Sequence, residues 1–275
     1  MVLVTKGGET LFKSAYKTPL TSGEIINSIQ AQIANCQIRY GLIERMGIGL
    51  SEELYFDGSC DSLHEAIKHF AALNTFDFNL KRDLIGMAQA AAIAEAKHAS
   101  SNNKLLGVVL DVGCGIGFVD EQGLVTESKT DNQWAHSPLP AFQVLHDGLT
   151  PVCRCGQENC LEQFLTVRGF ERQYHQLVLK HLTMQDIFAA IEQHEAQATR
   201  VYRMYVDQLA RALSNSITQL LPTQVVLFGA LSRYAKLADD LKAALTRYCD
   251  IAVIPRVSSS ALSHFTSAYG ATLSV

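Results

Sequence analysis

Apolar residues recur along this chain with two periods, and the alternation of those periods predicts its elements. Residues 2–19 read as two short strands around the turn Lys6-Gly7-Gly8-Glu9. Ile25, Ile26, Ile29 and Ile33 share a helical face, which predicts a helix over 22–37 with Ser22 as its N-cap. Leu63, Ile67 and Phe70 predict a second helix over 61–73. An Ala-rich helix is expected from Leu84 to His98, and side chains this small imply close packing on neighbouring backbone. The polar run Ser100-Ser101-Asn102-Asn103 marks a candidate domain boundary. Leu105 to Val112 is a buried strand ending in Gly113-Cys114-Gly115-Ile116-Gly117, and Phe118 to Val125 reads as strand and turn. Helices follow over 164–182 and 184–221, the second long, amphipathic and ended by Pro222. Val225 to Ala230 is a strand-to-turn unit, with a helix over 237–248, a strand over 251–257 and a final helix over 263–273 behind it. Strands alternating with helices predict an α/β fold.

Composition narrows the function classes. The chain has 275 residues, 48 % of them hydrophobic, enough for one large domain or two modest ones. A net charge of −4 gives no electrostatic reason to expect nucleic acid or an anionic membrane. No apolar run reaches membrane-spanning length. Met1 to Lys6 is too short for the apolar stretch of a secretory signal and runs straight into Gly7-Gly8. The expected compartment is therefore the cytoplasm, where thiols stay reduced and clustered cysteines favour a metal over disulfides. Cys36, Cys60 and Cys249 sit in mixed segments and read as inert thiols.

The remaining cysteines carry the chemistry. Cys153, Cys155 and Cys160 fall within eight residues around Gly156, and Glu162 follows two residues later. Tetrahedral Zn²⁺ takes four Cys or His ligands, and His136 lies just upstream as a fourth. A second motif points elsewhere. Val109-Leu110-Asp111-Val112-Gly113-Cys114-Gly115-Ile116-Gly117 resembles the first motif of class I S-adenosylmethionine-dependent methyltransferases, in which the glycine turn leads into a helix. Here the turn leads into a strand-like segment, and no second strand ending in an acid follows at the needed distance, so this reading is a minor alternative.

Cys-x-Cys-Gly-x-x-x-Cys-Leu-Glu with an upstream His resembles the signature of the ROK family of repressors and sugar kinases, and the resemblance is collinear over nearly the whole chain. Gly8 through Lys17-Thr18-Pro19 resembles the family's second hairpin and Thr-Pro motif. Gly86 to Ala96 resembles its Asn-Asp-Ala-(Asn/Gln)-Ala-Ala-Ala-x-Ala-Glu helix. Gly113, Gly115 and Gly117 fall on its phosphate turn, Gln133-Trp134-Ala135-His136 on its Glu-x-Gly-His, Val226 to Ser232 with Gly229 on its nucleotide-side turn, and Tyr269-Gly270-Ala271 on its C-terminal Gly-Ala. Gln89, the residue at 133 and the run Pro151 to Gly169 look especially like bacterial N-acetylmannosamine kinases. The resemblance implies a two-lobed actin-like, sugar-kinase ATPase fold of the ribonuclease H-like kind. One lobe would span 1–103 plus a returning helix over 261–275, the other 104–260 with the zinc motif. It further implies structural Zn²⁺ on His136, Cys153, Cys155 and Cys160, amino-sugar contacts from Gln133, His136 and Glu162, nucleotide contacts from Gly113, Gly115, Gly117 and Gly229, and a homodimer. Arg154 and Glu158 read as solvated loop charges, and His146, His175 and His194 as surface or packing residues.

The chain also departs from the pattern it resembles. Position 87, the family's general-base Asp, is Met, and a thioether cannot take a proton at neutral pH. The preceding sugar-contacting Asn is Gly86, the Thr of the second phosphate turn is Cys114, and the first glycine of the nucleotide-side turn is Phe228, whose ring could fill adenosine's space. The chain starts after the family's first phosphate hairpin, so the first strand of the N-terminal lobe is expected to be missing. These departures put ATP and Mg²⁺ binding in question. The leading expectation is a zinc-binding amino-sugar kinase homologue with impaired catalysis, serving as an amino-sugar-binding or regulatory protein. The N-terminal helix-turn-helix of the family's repressors has no counterpart in this sequence, so direct DNA binding is not expected. The alternative is an active kinase in which Asp83 or Asp111 replaces the base.

Overall fold

The computed structural model describes residues 1–16, 21–50, 77, 80–99, 103–122, 131–262 and 265–273. The predicted helix over 61–73, the Lys17-Thr18-Pro19 motif and most of the Ser100–Asn103 break lie outside the described residues. The chain opens on an antiparallel hairpin of β1 (Val2–Val4) and β2 (Thr10–Lys13). Helix α1 (Ser22–Tyr40) is capped by Thr21 and not by Ser22. The Thr21 hydroxyl accepts from the Glu24 N–H at 3.3 Å, while Glu24 Oε2 accepts from the Thr21 N–H at 3.2 Å.

Strand β3 (Arg45–Leu50) pairs in parallel with β4 (Lys81–Gly86). The Ala-rich helix, α2 (Met87–Ala99), therefore starts at Met87 and not at Leu84. Leu84, Ile85 and Gly86 register against Ile48, Gly49 and Leu50, so inter-strand pairing overrides their place in a helical run.

A second sheet has the order β6-β5-β7-β8, formed by β5 (Leu105–Leu110), β6 (Cys114–Val119), β7 (Gln224–Phe228) and β8 (Arg256–Ser259). β5 runs parallel to β7 and β7 to β8, whereas β6 returns antiparallel to β5. The glycine run after β5 is thus a tight reversal into a strand, which removes the strand–turn–helix context that the methyltransferase reading needs. The predicted strand over 251–257 is a 3₁₀ turn at Ile251–Val253 followed by β8.

Among the described residues the remaining helices are α3 (Val144–Asp147), α4 (Glu162–Leu165), α5 (Val167–Val178), α6 (Met184–Glu192), α7 (Ala196–Leu220), α8 (Leu237–Leu245) and α9 (Thr266–Leu273). The helix predicted over 184–221 is broken between α6 and α7. His194 is left-handed at φ 59°, and Glu195 restarts the helix by accepting from the N–H groups of Gln197 and Ala198. The helix predicted over 164–182 is interrupted at Thr166, whose hydroxyl accepts from the Gly169 N–H at 3.1 Å and caps α5.

β5 is buried on both faces, and its alternation sorts the core. Leu106, Val108 and Leu110 meet Phe170, Tyr205, Leu209 and Leu213 of α5 and α7, while Leu105 meets Ala91 and Ala92 of α2. Ala88, Ala90, Ala91, Ala92 and Ala94 of α2 are wholly buried, as their size implies. A Cβ at Gly270 of α9 would stand 1.7 Å from the Ala90 carbonyl oxygen, so backbone touches backbone there. On the opposite side a Cβ at Gly117 would lie 2.4 Å from the Gln89 Cα. The Gln89 amide uses that closeness: it donates to the Phe118 carbonyl and accepts from the Phe118 N–H, both at 2.9 Å, and so satisfies the outer edge of β6. Among the described residues no helix is long and apolar enough to cross a membrane.

Candidate functional site

The loop between β6 and α4 brings the predicted metal ligands together. A 3₁₀ segment, Asp131–His136, delivers His136, and an antiparallel bridge between Pro138 and Cys160 clamps the loop on itself. Main-chain bonds finish the clamp, from the Leu139 N–H to the Asn159 carbonyl at 2.8 Å and from the Leu161 N–H to the Ser137 carbonyl at 2.9 Å. A tight turn follows Cys153, with the Gly156 N–H donating to its carbonyl at 2.8 Å. Gly156, at φ +81°, holds a conformation that a side chain would strain. As a result one donor atom from each of His136, Cys153, Cys155 and Cys160 lies within 4.8 Å of the others. Cys153 Sγ stands 3.4 Å from His136 Nδ1, and Cys155 Sγ 3.5 Å from Cys160 Sγ. Tetrahedral Zn²⁺ with bonds of about 2.3 Å needs ligand separations of about 3.8 Å, so the donor set fits a metal ion of that kind.

The thiols divide one proton unequally. Hydrogen bonding from Cys160 and from His136 outweighs burial and lowers Cys153 to about 3. Cys160 is driven the opposite way by the same contact and by burial, and burial also raises Cys155. The direction of the Cys153 shift favours the thiolate, the form that binds metal.

Glu162 opens α4 with its side chain buried against this cluster. Its Oε2 lies 3.5 Å from His136 Nδ1, and its Oε1 accepts from Arg154 Nη2 at 2.9 Å. Arg154, expected as a solvated charge, is thus the ion-pair partner of Glu162. Glu158 remains exposed, as expected of a solvated loop charge. The Gln133 side chain lies outside the described residues. Trp134, next to His136, is buried with its indole N–H lacking a partner among the described residues.

A network that sequence reasoning missed anchors the loop to α7. Asp147, fully buried at the end of α3, receives Arg211 Nη2 and, at 2.9 Å, the Gln143 N–H. Arg211 also donates to the carbonyl of Pro140 at 2.8 Å and to Asp207 at 3.0 Å, and Tyr248 donates to Asp207 at 2.6 Å. Burial alone would raise the Asp147 carboxyl, but the bonds from Arg211, the Gln143 N–H and His146 hold it below its ordinary value. The partners are separated by 64 residues, so no local spacing announces them.

The glycine turns lie at the carboxyl ends of β5 and β7, the usual place for ligands in an open α/β sheet. A Cβ at Gly229, φ +92°, would meet the Leu110 carbonyl oxygen at 2.4 Å, so the two turns touch. Asp111 ties them: its carboxylate accepts from the N–H groups of Ala230 at 3.1 Å and Val112 at 2.9 Å. Gly113 lies in the turn, whereas Gly115 and Gly117 lie within β6, the latter packed on α2. Cys114 is buried in the core. The Phe228 ring is buried with Ala91, Ala92, Leu105 and Val119 on the α2 face, so the space it fills is core and not the turn at Gly229.

The ROK family's sequence model matches residues 1–275. The chain belongs to the ROK family. It is 27 % identical over 252 residues to an N-acetyl-D-glucosamine kinase of Salmonella arizonae, a match covering 87 % of this chain and 83 % of that one. An N-acetyl-D-glucosamine kinase of Escherichia coli is 31 % identical over 158 residues, or 56 % of this chain and 52 % of the kinase, so that match spans about half its length. Among solved structures, a ROK hexokinase from Thermus thermophilus matches with a TM-score of 0.77 at 21 % identity, covering 98 % of this chain and 92 % of that one. A ROK glucokinase from Streptomyces griseus in complex with glucose and AMPPNP matches at 0.70 and 19 %, with the same coverage. The fold is that of the actin-like sugar kinases.

Against that family pattern, Met87 sits at the junction of β4 and α2, at a strand's carboxyl end, with its side chain 36 % exposed. Asp83 is in β4, and its side chain lies outside the described residues. Asp111, the other acid considered as a replacement base, is engaged by two main-chain donors.

Proposed function

We propose that this ROK protein binds an N-acetylated amino sugar beside a structural zinc loop and transfers phosphoryl groups poorly. The observation that carries the reading is the pairing of a complete four-donor cluster, with Glu162 buried against it, with Met87 at the family's base position. His136, Cys153, Cys155 and Cys160 would hold the Zn²⁺, which when bound supplies rigidity to the loop and no acid–base chemistry. Glu162, aligned by Arg154, accepts hydrogen bonds from sugar hydroxyls, and a carboxylate accepts these strongly. Gln133 contributes an amide contact, and His136 forms part of the same wall. With no carboxylate at 87, nothing there takes the proton of the attacking hydroxyl, a loss of about 10²- to 10⁴-fold. The role left is sugar sensing or storage of a bound sugar, carried out as a homodimer in the cytoplasm.

Three measurements on the full chain test this. Elemental analysis should find zinc. Calorimetry should find binding of N-acetylglucosamine or N-acetylmannosamine, and a coupled ADP-release assay should find turnover at least about 10²-fold below that of an acid-bearing ROK kinase. Robust turnover that one substitution, Asp111→Asn or Asp83→Asn, abolishes would overturn the impaired-kinase reading in favour of a replacement base.

A further inference from the structure

Helix α5 and its connection to α6 line an open surface cavity of about 420 Å³ that the sugar reading does not use. Arg168, Glu171, Arg172, His175, His181 and Thr183 line it. Its polarity is lopsided. Among the described residues neither arginine forms a salt bridge with a carboxylate. Arg172 donates from Nη1 to Gln163 Oε1 at 3.1 Å and from Nη2 to the Gln163 carbonyl, both neutral acceptors, and its buried Nε has no partner. The only acid in the wall, Glu171, accepts from the Met184 N–H at 2.8 Å. His175 stacks face to face on His181, centroids 3.7 Å apart, and its buried Nδ1 is also without a partner. Burial lowers the pKa of Arg172, as it does for a cation lacking an anion.

A half-buried guanidinium with no carboxylate partner is costly unless an anion completes it, and Arg168 lines the same cavity. We propose that this cavity binds a small phosphate monoester, Arg168 and Arg172 taking the phosphoryl oxygens and the His175–His181 stack walling the organic part. Guanidinium forks match phosphate oxygens. The volume falls in the range of small-molecule sites, more than a bare phosphate fills. The ligand would also reach the sugar-facing loop, because Arg172 holds Gln163, the neighbour of Glu162.

The test is calorimetry on the full-length, metal-replete protein in phosphate-free buffer, with glucose 6-phosphate, inorganic phosphate and glucose as separate probes. Glucose 6-phosphate should bind at least about tenfold more tightly than inorganic phosphate, and Arg168→Gln should weaken it at least about tenfold. Arg168 is exposed and forms no hydrogen bond or ion pair among the described residues, so this variant should fold, and circular dichroism and melting temperature check that it does. Arg172→Lys should weaken binding as well, since it keeps the charge and loses the fork. The proposal fails if glucose 6-phosphate shows no heat at about 10 mM, if Arg168→Gln binds as the unmodified protein does, or if inorganic phosphate binds as tightly as the ester. None of these outcomes depends on zinc content or on ADP release, so this proposal and the sugar-kinase reading can fail separately.

Discussion

The metal loop and the start of α2 tolerate change very differently. In the loop, four donors lie within 4.8 Å because bridges, turns and a buried ion network force them there, so each ligand is also part of the support for the others. At the β4–α2 junction, position 87 is a partly exposed side chain that the fold asks nothing of, since α2 is held by its alanines, Gln89 and the Gly270 contact instead. On the proposed reading, chemistry at 87 can change without loss of structure, whereas loss of one donor in the loop should take structure with it. The contrast also sets what each region reports. The loop reports ancestry, and the junction reports activity.

The largest effect should come from removing the metal. Chelation, or Cys160→Ser, should lower the melting temperature by roughly 10 °C, because structural zinc contributes folding free energy and each kcal/mol is about 2–4 °C in a chain of this size. Trp134, the single tryptophan, is buried next to His136, so its emission should shift to the red in the same titration. An unchanged melting curve would erase the contrast between the two regions.

Next in size is the loop's anchor. Arg211→Ala leaves Asp147 buried and unpaired, and urea unfolding should register a loss of about 3–5 kcal/mol. The acid limb carries the sign. The folded-state pKa of Asp147 lies below its ordinary 3.8. Its contribution is therefore complete above that value and is lost as pH falls through the folded value. The gap between the unmodified protein and Arg211→Ala should be full near pH 6 and shrink below about pH 4. A gap that widens in acid would assign the anchor to some other group.

Met87→Asp probes the other side. It should raise ADP release about 10²-fold, the lower range of what a placed base supplies, while shifting stability by less than about 1 kcal/mol. Cys114 and Phe228, the other departures on the nucleotide side, are absorbed into packing, which leaves Met87, beside Gly86, as the substitution to test for its effect on proton transfer. No gain would mean that the nucleotide turns themselves are at fault.

How far these features could be read from the sequence follows the distance between partners. The four-donor cluster was legible because three of its members share one turn and the fourth sits just upstream. The Ala-rich helix was legible because small side chains have one use in a buried helix. The β4–α2 boundary was misread, since Leu84-Ile85-Gly86 fits a helical run until β3 is beside it. The break at His194 and Glu195 was hidden because no proline or glycine marks it, only a left-handed residue and a cap. Asp147 and Arg211 gave no local signal at all, and neither did the tie from Asp111 to Ala230, 119 residues away.

Arg154 gives the finest test of the loop. Half exposed, it pairs with a nearly buried Glu162. An ion pair with one exposed partner contributes at most about 1 kcal/mol, so Arg154→Ala should barely move the unfolding midpoint. Its effect belongs in sugar binding. The guanidinium fixes one carboxylate oxygen, Oε1, and with it the orientation of the group. Without it, Glu162 keeps its charge and loses its orientation, and amino-sugar affinity should fall about three- to tenfold with zinc content unchanged. Arg154→Lys, which retains a donor but not the planar fork, should fall between the two. Affinity equal to that of the unmodified protein in both variants would make Arg154 the solvated loop charge that its sequence context suggests, and Glu162 would then be positioned by the metal loop alone.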